Sequence, residues 1–295
     1  MKSARPDGAA VAAALLAILM WGAVPVGTRF LVDGEAQRID PRLLVALRFA
    51  LSALVLSPAL VRARPWAWPN PERRLLLLAA GLGVIGYNLP VAIGQVMVDA
   101  GTTALVIATE PLWILLLWSL KRRCAPTWAQ IGGAGAGALG IAALAAPTFS
   151  GAVPGGGLAW VLLGAFCWSG YCVGVVPLVQ RHGALSVTAS TVCLGCLPLL
   201  LVAAPSFPQM MRIETDDMIL IAALAIGSTV LATLAWNLAV ARLPGPVSGQ
   251  FLFGIPVVGI AAGHILLGEV FSSGTWLALS CIVFGLWLGR GRSKL

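Results

Sequence analysis

Charge is what this sequence has least of: Asp, Glu, Lys and Arg make up 10% of 295 residues, against 59% hydrophobic ones. A chain so poor in polar surface cannot cover a water-soluble fold of that size, which excludes a cytosolic enzyme, a secreted protein and a disordered tail. Histidine is almost missing. His182 and His264 are the only two, too few for a zinc cluster. No G-x-S-x-G or H-E-x-x-H pattern occurs, so an intramembrane enzyme is the weakest of the function classes weighed. Gly132-Gly133-Ala134-Gly135-Ala136-Gly137 contains a G-x-G, yet it lies inside an apolar run with no preceding strand and reads as a helix-packing face. The sequence therefore offers no catalytic set, no metal site and no cofactor site.

What it has instead is apolar runs of bilayer length, at residues 9–31, 41–61, 75–97, 102–120, 127–146, 157–179, 186–204, 217–240, 247–267 and 274–289. The predicted class is an all-α polytopic membrane protein of ten spans. The first run follows Lys2 and Arg5 but continues past Trp21 without an A-x-A site, so it reads as an uncleaved span. A net charge of +8 comes with no basic stripe interleaved with aromatics, which removes nucleic acid as a partner. With the N-terminus inside, the termini and even-numbered loops collect fourteen of the nineteen Lys and Arg residues, Arg73, Arg74, Lys121, Arg122, Arg123 and Arg181 among them. Asp33, Glu35, Asp40, Asp99, Glu214, Asp216, Asp217 and Glu269 fall in the opposite loops. The positive-inside rule then puts both termini in the cytoplasm of a bacterial-type inner membrane. Trp66, Trp68, Trp118, Trp128, Trp160, Trp276 and Trp287 lie near span ends, as an interfacial belt would. The six cysteines sit mostly in apolar runs and read as small hydrophobes, including the C-x-x-C of Cys193 and Cys196.

Residues 147–156 hold the one Pro/Gly cluster near the midpoint, dividing the chain into halves 1–146 and 157–295. The halves echo each other. Trp21-Gly22 recurs as Trp168-Ser169-Gly170, Tyr87-Asn88 as Trp236-Asn237 and Pro111 as Pro256, at offsets of 147, 149 and 145 positions. An odd number of spans per half inserts the second copy upside down, the architecture of alternating-access carriers that bind solute near the midplane. Pro25, Pro111, Gly174 and Pro256 are the predicted hinges, being helix-weakening residues in matched places.

Glu110 lies about eight residues into the fourth run, ~12 Å deep in a core ~30 Å thick. A carboxylate there costs about 3 kcal/mol, and Pro111 beside it frees a backbone carbonyl. It reads as a substrate-amine ligand or a proton-coupling carboxyl, with a structural ion pair or a protonated cap on broken backbone as the alternatives. Arg48 sits within reach of that depth on the second run; it binds substrate, pairs with Glu110, Asp40 or Asp99, or snorkels. Asn88, Gln95 and Asp99 form one polar stripe on the third run, Thr229, Thr233 and Asn237 another on the eighth, and Gln250, Gly254, Val257, Ala261 and His264 a third on the ninth. Trp113, Trp168, Tyr171, Trp236, Phe251 and Phe253 stand away from the span ends and either wall an apolar cavity, to which the repeat adds Tyr87, or simply pack the core.

Trp21-Gly22 with Arg29, Arg48-Phe49 with Ala53, Pro111, and Lys121-Arg122-Arg123 with Thr127, Gln130 and Gly132, answered by Leu267-Gly268-Glu269, Trp276 and Gly285, form one pattern along the chain. In that pattern the chain resembles the drug/metabolite transporter superfamily in its ten-helix EamA-type branch. It departs from the pattern at Glu110, a place commonly uncharged. The resemblance implies transport, often export, of small metabolites such as amino acids; membrane lipid is the surroundings, and a proton is a candidate coupling ion through Glu110, though the sequence itself does not name the ion. A lipid-linked headgroup flippase of the same fold is the nearer rival reading.

Overall fold

The structure, a computed structural model, describes residues 7–32, 39–95, 97, 103, 106–145, 155–258, 261, 277, 280, 281, 284, 285, 287 and 288. Regular structure among the described residues is entirely helical. Five helical stretches are long and apolar enough to cross a bilayer, at Pro41–Ala67, Asn70–Gly94, Gly155–His182, Ala184–Arg212 and Thr215–Arg242. Shorter apolar helices at Gly8–Val24 and Gly245–Val258 join them. Leu54, Leu120, Leu139 and Leu201 are exposed, as side chains are when lipid rather than water surrounds the fold.

In chain order the helices are α1 (Gly8–Val32), α2 (Pro41–Ala63), α3 (Asn70–Ala80), α4 (Gly86–Gln95), α5 (Glu110–Arg122), α6 (Trp128–Ala145), α7 (Gly155–Gly174), α8 (Val176–His182), α9 (Ala184–Ala203), α10 (Thr215–Leu224), α11 (Ala232–Arg242) and α12 (Gly245–Phe251). Their ends follow local chemistry. Asp40 caps α2 by accepting from the Arg42 N–H at 2.7 Å, ahead of Pro41 in the first turn. Arg123 closes α5 in the left-handed region at φ 52°, directing its N–H to the Leu120 carbonyl at 3.2 Å.

Interruptions inside the spans matter more than their ends. α3 passes into α4 through a π turn at Gly81–Ile85, and α10 into α11 through a second at Ala225–Leu231. Ahead of α5, Ala108 and Thr109 form a turn, because Pro111 has no N–H to continue a helix back through Ile107. Between α7 and α8 the chain bends at Val175. Pro177 would have bonded the Val173 carbonyl, which instead accepts from Lys121 Nζ at 2.9 Å. Leu252 and Phe253 form a turn after α12; Pro256 cannot reach the Leu252 carbonyl, and Ile255 N–H takes it at 3.1 Å. The breaks thus fall beside Pro111 and Gly174 and three residues before Pro256, whereas α1 continues through Pro25 without one. The Pro25 and Gln95 side chains, His264, Asp99 and residues 147–154 lie outside the described residues.

α2 packs against α9, α4 against α7 and α1 against α11, while α5 lies between α7 and α12. Two tryptophans expected at the interfacial belt are buried instead: Trp68 is 7% and Trp118 6% exposed. Trp68 stacks on His182 with ring centroids 3.7 Å apart, and Trp118 lies over Gly245 where no side chain intervenes.

Candidate functional site

The middle of the fold holds an aromatic cluster drawn from four spans. Trp168 on α7 meets Trp21 of α1 edge to face at 5.3 Å, Tyr87 of α4 at 5.2 Å and Tyr171 at 5.1 Å. Trp21 in turn lies 5.6 Å from Trp236 of α11. Trp236 is fully buried and donates its indole N–H to Cys172 Sγ at 3.3 Å. Two of the aromatics expected as cavity walls stand apart from this cluster. Trp113 packs against Phe166 at 5.4 Å and donates to Thr109 Oγ1 at 3.1 Å, and the Phe253 ring lies over Gly137. Phe251 packs at the edge of the same core, beside buried Gln250 on α12.

Polar groups inside this core are held by a chain of hydrogen bonds. Tyr171 donates its hydroxyl to Asn237 Oδ1 at 3.0 Å, and Asn237 Nδ2 donates to Thr188 Oγ1 at 2.8 Å. The π turns supply further acceptors, since the extra residue in each turn takes carbonyls out of the regular ladder. Trp21 Nε1 donates to the Ser228 carbonyl at 2.9 Å, and the Ser52 hydroxyl lies 3.1 Å from the Ala225 carbonyl. In the first half, Asn88 Nδ2 donates to the Val84 carbonyl at 2.9 Å. That bond leaves Asn88 Oδ1 facing Arg48, whose Nη2 donates to it at 2.7 Å. The π turns, Thr188, Cys172 and Ser52 are parts of this arrangement that sequence patterns did not single out.

Glu110 stands at the first turn of α5 and is 2% exposed. With 13 residues in that helix, it lies ~18 Å along the axis from the basic Lys121-Arg122 end, close to the middle of a ~30 Å hydrocarbon core. Its backbone carbonyl accepts from Ser169 Oγ at 3.1 Å, which ties α5 to α7 next to Trp168. Its carboxyl is another matter: Oε1 is buried with no hydrogen-bond partner. The helix start favours a negative charge by up to ~2 kcal/mol, less than the desolvation it meets. No ion pair joins Glu110 to Arg48 among the described residues; Arg48 is held by Asn88, and its Nε also lacks a partner. Asp40 is engaged elsewhere, accepting from Ser206 Oγ at 2.9 Å.

At the basic end of the spans Glu72 of α3 meets His182 Nε2 at 2.7 Å and pairs with Arg181, closing a contact between α3 and α8. Among the described residues no group of three or more His, Cys, Asp or Glu side chains is placed to hold a metal ion.

The model of the EamA-like transporter family matches residues 8–146 and again 155–289. The chain belongs to the EamA-like transporter family. It is 30% identical over 272 residues to a probable terminal-alkyne amino-acid exporter of Streptantibioticus cattleyicolor, covering 88% of this chain and 86% of that one. It is 24% identical over 280 residues to an uncharacterised transporter of Archaeoglobus fulgidus, covering 92% and 95%. With the uncharacterised inner membrane transporter YedA of Escherichia coli K12 it shares 26% identity over 288 residues, covering 92% and 87%. A solved crystal structure at 21% identity superposes with a TM-score of 0.80 over 95% of this chain and 96% of that one, which fixes the fold. This EamA-like protein is therefore a polytopic membrane transporter. Among the described residues its core places Glu110 and Arg48, neither in an ion pair with the other, near an aromatic cluster.

Proposed function

We propose that this transporter exports small amphipathic metabolites, amino acids first among them, by alternating access between two inverted five-helix halves at 1–146 and 157–295. Three features support the two halves. The helix pairings are preserved when the halves are exchanged, the family model matches on either side of the Pro/Gly linker, and Trp21 touches its own counterpart Trp168. The amino-acid class draws support from the exporter of Streptantibioticus cattleyicolor. Cytoplasmic termini follow from the distribution of Lys and Arg.

The observation that carries the proposal is Glu110: a midplane carboxyl, buried, with an unpartnered oxygen, at a helix start beside the aromatic cluster. A group left so costly is used by a solute or a proton. The test is reconstitution into liposomes with a metabolite panel, alongside a fluorescent-lipid scrambling assay. Uptake of small solutes by the wild type, lowered at least about tenfold in Glu110→Gln, supports the carrier. Scrambling without solute uptake replaces it with a lipid-headgroup flippase.

A further inference from the structure

We infer that Arg48 and Glu110 bind the two charged groups of one zwitterionic solute, the guanidinium taking its carboxylate and the Glu110 carboxyl its ammonium, with Tyr87 and Trp168 walling the site. The inference rests on the carrier reading above and adds the rule by which the site selects.

It begins from two opposite orphans. Glu110 Oε1 and Arg48 Nε are both buried and both without partners, and no ion pair joins the two residues among those described. Had the two charges met, each would have offset the other's desolvation. Asn88, which holds Arg48, follows Tyr87 on α4, and Ser169, which holds the Glu110 carbonyl, follows Trp168 on α7. The two rings lie 5.2 Å apart, so a small molecule beside them sits between the helices that hold both groups.

Arg48 is also aimed. The π turn before α4 presents the Val84 carbonyl to Asn88 Nδ2 at 2.9 Å, and Asn88 Oδ1 then holds Arg48 Nη2 at 2.7 Å. One hydrogen bond to a neutral amide oxygen orients the guanidinium without neutralising it, leaving donors of the planar fork that suits a carboxylate. The Glu110 backbone is held beside α7, its carbonyl 3.1 Å from Ser169 Oγ, and its carboxyl oxygen Oε1 is buried without a partner. An ammonium between the Glu110 carboxyl and the faces of Tyr87 and Trp168 gains an ion pair and cation–π attraction together.

Selectivity follows from which charge each solute leaves bare. An amine without a carboxylate leaves Arg48 unpaired, and an acid without an amine leaves Glu110 unpaired. A zwitterion satisfies both, and rejection by unpaired buried groups is the strong form of discrimination.

The test uses the full chain in detergent or nanodiscs with three probes that share one side chain: phenylalanine, 2-phenylethylamine and 3-phenylpropanoate, with binding followed by tryptophan fluorescence. The wild type should bind phenylalanine at least about tenfold more tightly than either relative. Arg48→Gln should bring phenylalanine to within about threefold of the amine, and Glu110→Gln to within about threefold of the acid. Arg48→Lys, which keeps the charge and loses the fork, should retain part of the preference over the amine. The wild-type series decides even where a variant fails to fold. Equal binding of the amine or the acid and of phenylalanine, or binding of none of the three, overturns the inference. Panel transport of uncharged or singly charged solutes with no zwitterion bound overturns it while leaving the carrier standing. The zwitterion preference without any panel transport removes the carrier and keeps the binding rule.

Discussion

Trp21 and Trp168 meet edge to face at 5.3 Å, with planes 85° apart, although 147 positions separate them. In a fold built of two related halves, a residue touches its own counterpart only near the axis relating them, so this contact marks the centre of the proposed carrier.

Trp21 also serves the second π turn, donating its indole N–H to the Ser228 carbonyl at 2.9 Å. Trp21→Phe keeps a ring against Trp168 and Trp236 but withdraws that donor. The expected cost is about 1 kcal/mol, read as a lower thermal midpoint in detergent. Trp21→Ala, which also empties the ring's place, should cost roughly 3–5 kcal/mol or prevent folding.

The buried chain Tyr171, Asn237, Thr188 gives a non-additive prediction. Asn237 accepts from Tyr171 and donates to Thr188, so Asn237→Leu strands two polar groups while Tyr171→Phe strands one. Each stranded group costs about 1–3 kcal/mol. The double variant should be less destabilised than the sum of the singles, because its phenylalanine no longer needs an acceptor. Additive thermal shifts would show that the two bonds are independent.

Those two cases also show where sequence reading stops. Helix positions among the described residues were legible because an apolar run of about twenty residues has one stable arrangement in lipid. Glu110, Arg48 and the core tryptophans were legible because charge and bulky rings in such runs carry a visible cost. The π turns were not: Gly81–Ile85 and Ala225–Leu231 look like any other apolar turn, and one inserted residue leaves no compositional mark. Partner choice was hidden for the same reason. Whether Arg48 meets Glu110, Asp40 or Asn88 depends on how each helix is rotated, and the π turn before Asn88 shifts that rotation. Glu72 with His182, 110 positions apart, needed the α3 to α8 packing before it could be seen.

Close approach of α12 to α5 depends on Gly245. A Cβ built there lies 2.5 Å from the Trp118 ring, a rigid neighbour with no room to yield. Gly245→Ala should cost about 1–3 kcal/mol of stability as the helices separate. Gly254→Ala meets the Ile18 side chain at 3.0 Å, a more flexible obstacle, and its thermal midpoint should fall less.

Asp7 ties the start of α1 to the end of α11, its Oδ2 accepting from Arg242 at 3.1 Å. The hydrogen bond from Arg242, with help from the Ala9 N–H, holds its carboxyl below the ordinary range. A carboxyl so lowered stabilises the fold above its unfolded-state value, and that contribution is lost as pH falls through the folded one. The side chain is exposed, so the effect is small. Asp7→Asn should therefore melt slightly below the wild type at neutral pH and together with it at acid pH.

The last prediction concerns orientation. Cys124 is exposed immediately after Lys121, Arg122 and Arg123, whereas Met211, 93% exposed, precedes the acidic Glu214, Asp216 and Asp217. Between the two positions the chain runs through α6, then α7 with α8, then α9. On the proposed topology these are three crossings, which put the two positions on opposite sides of the membrane with Cys124 in the cytoplasm. In intact spheroplasts, a membrane-impermeant maleimide should spare Cys124 and label Met211→Cys placed in a Cys124→Ser background. Inside-out vesicles should reverse the pattern. Labelling of both from one side would remove one of the three crossings, and with it the odd count that makes the two halves inverted; labelling on opposite sides in the reverse sense would keep the halves and turn the transporter over.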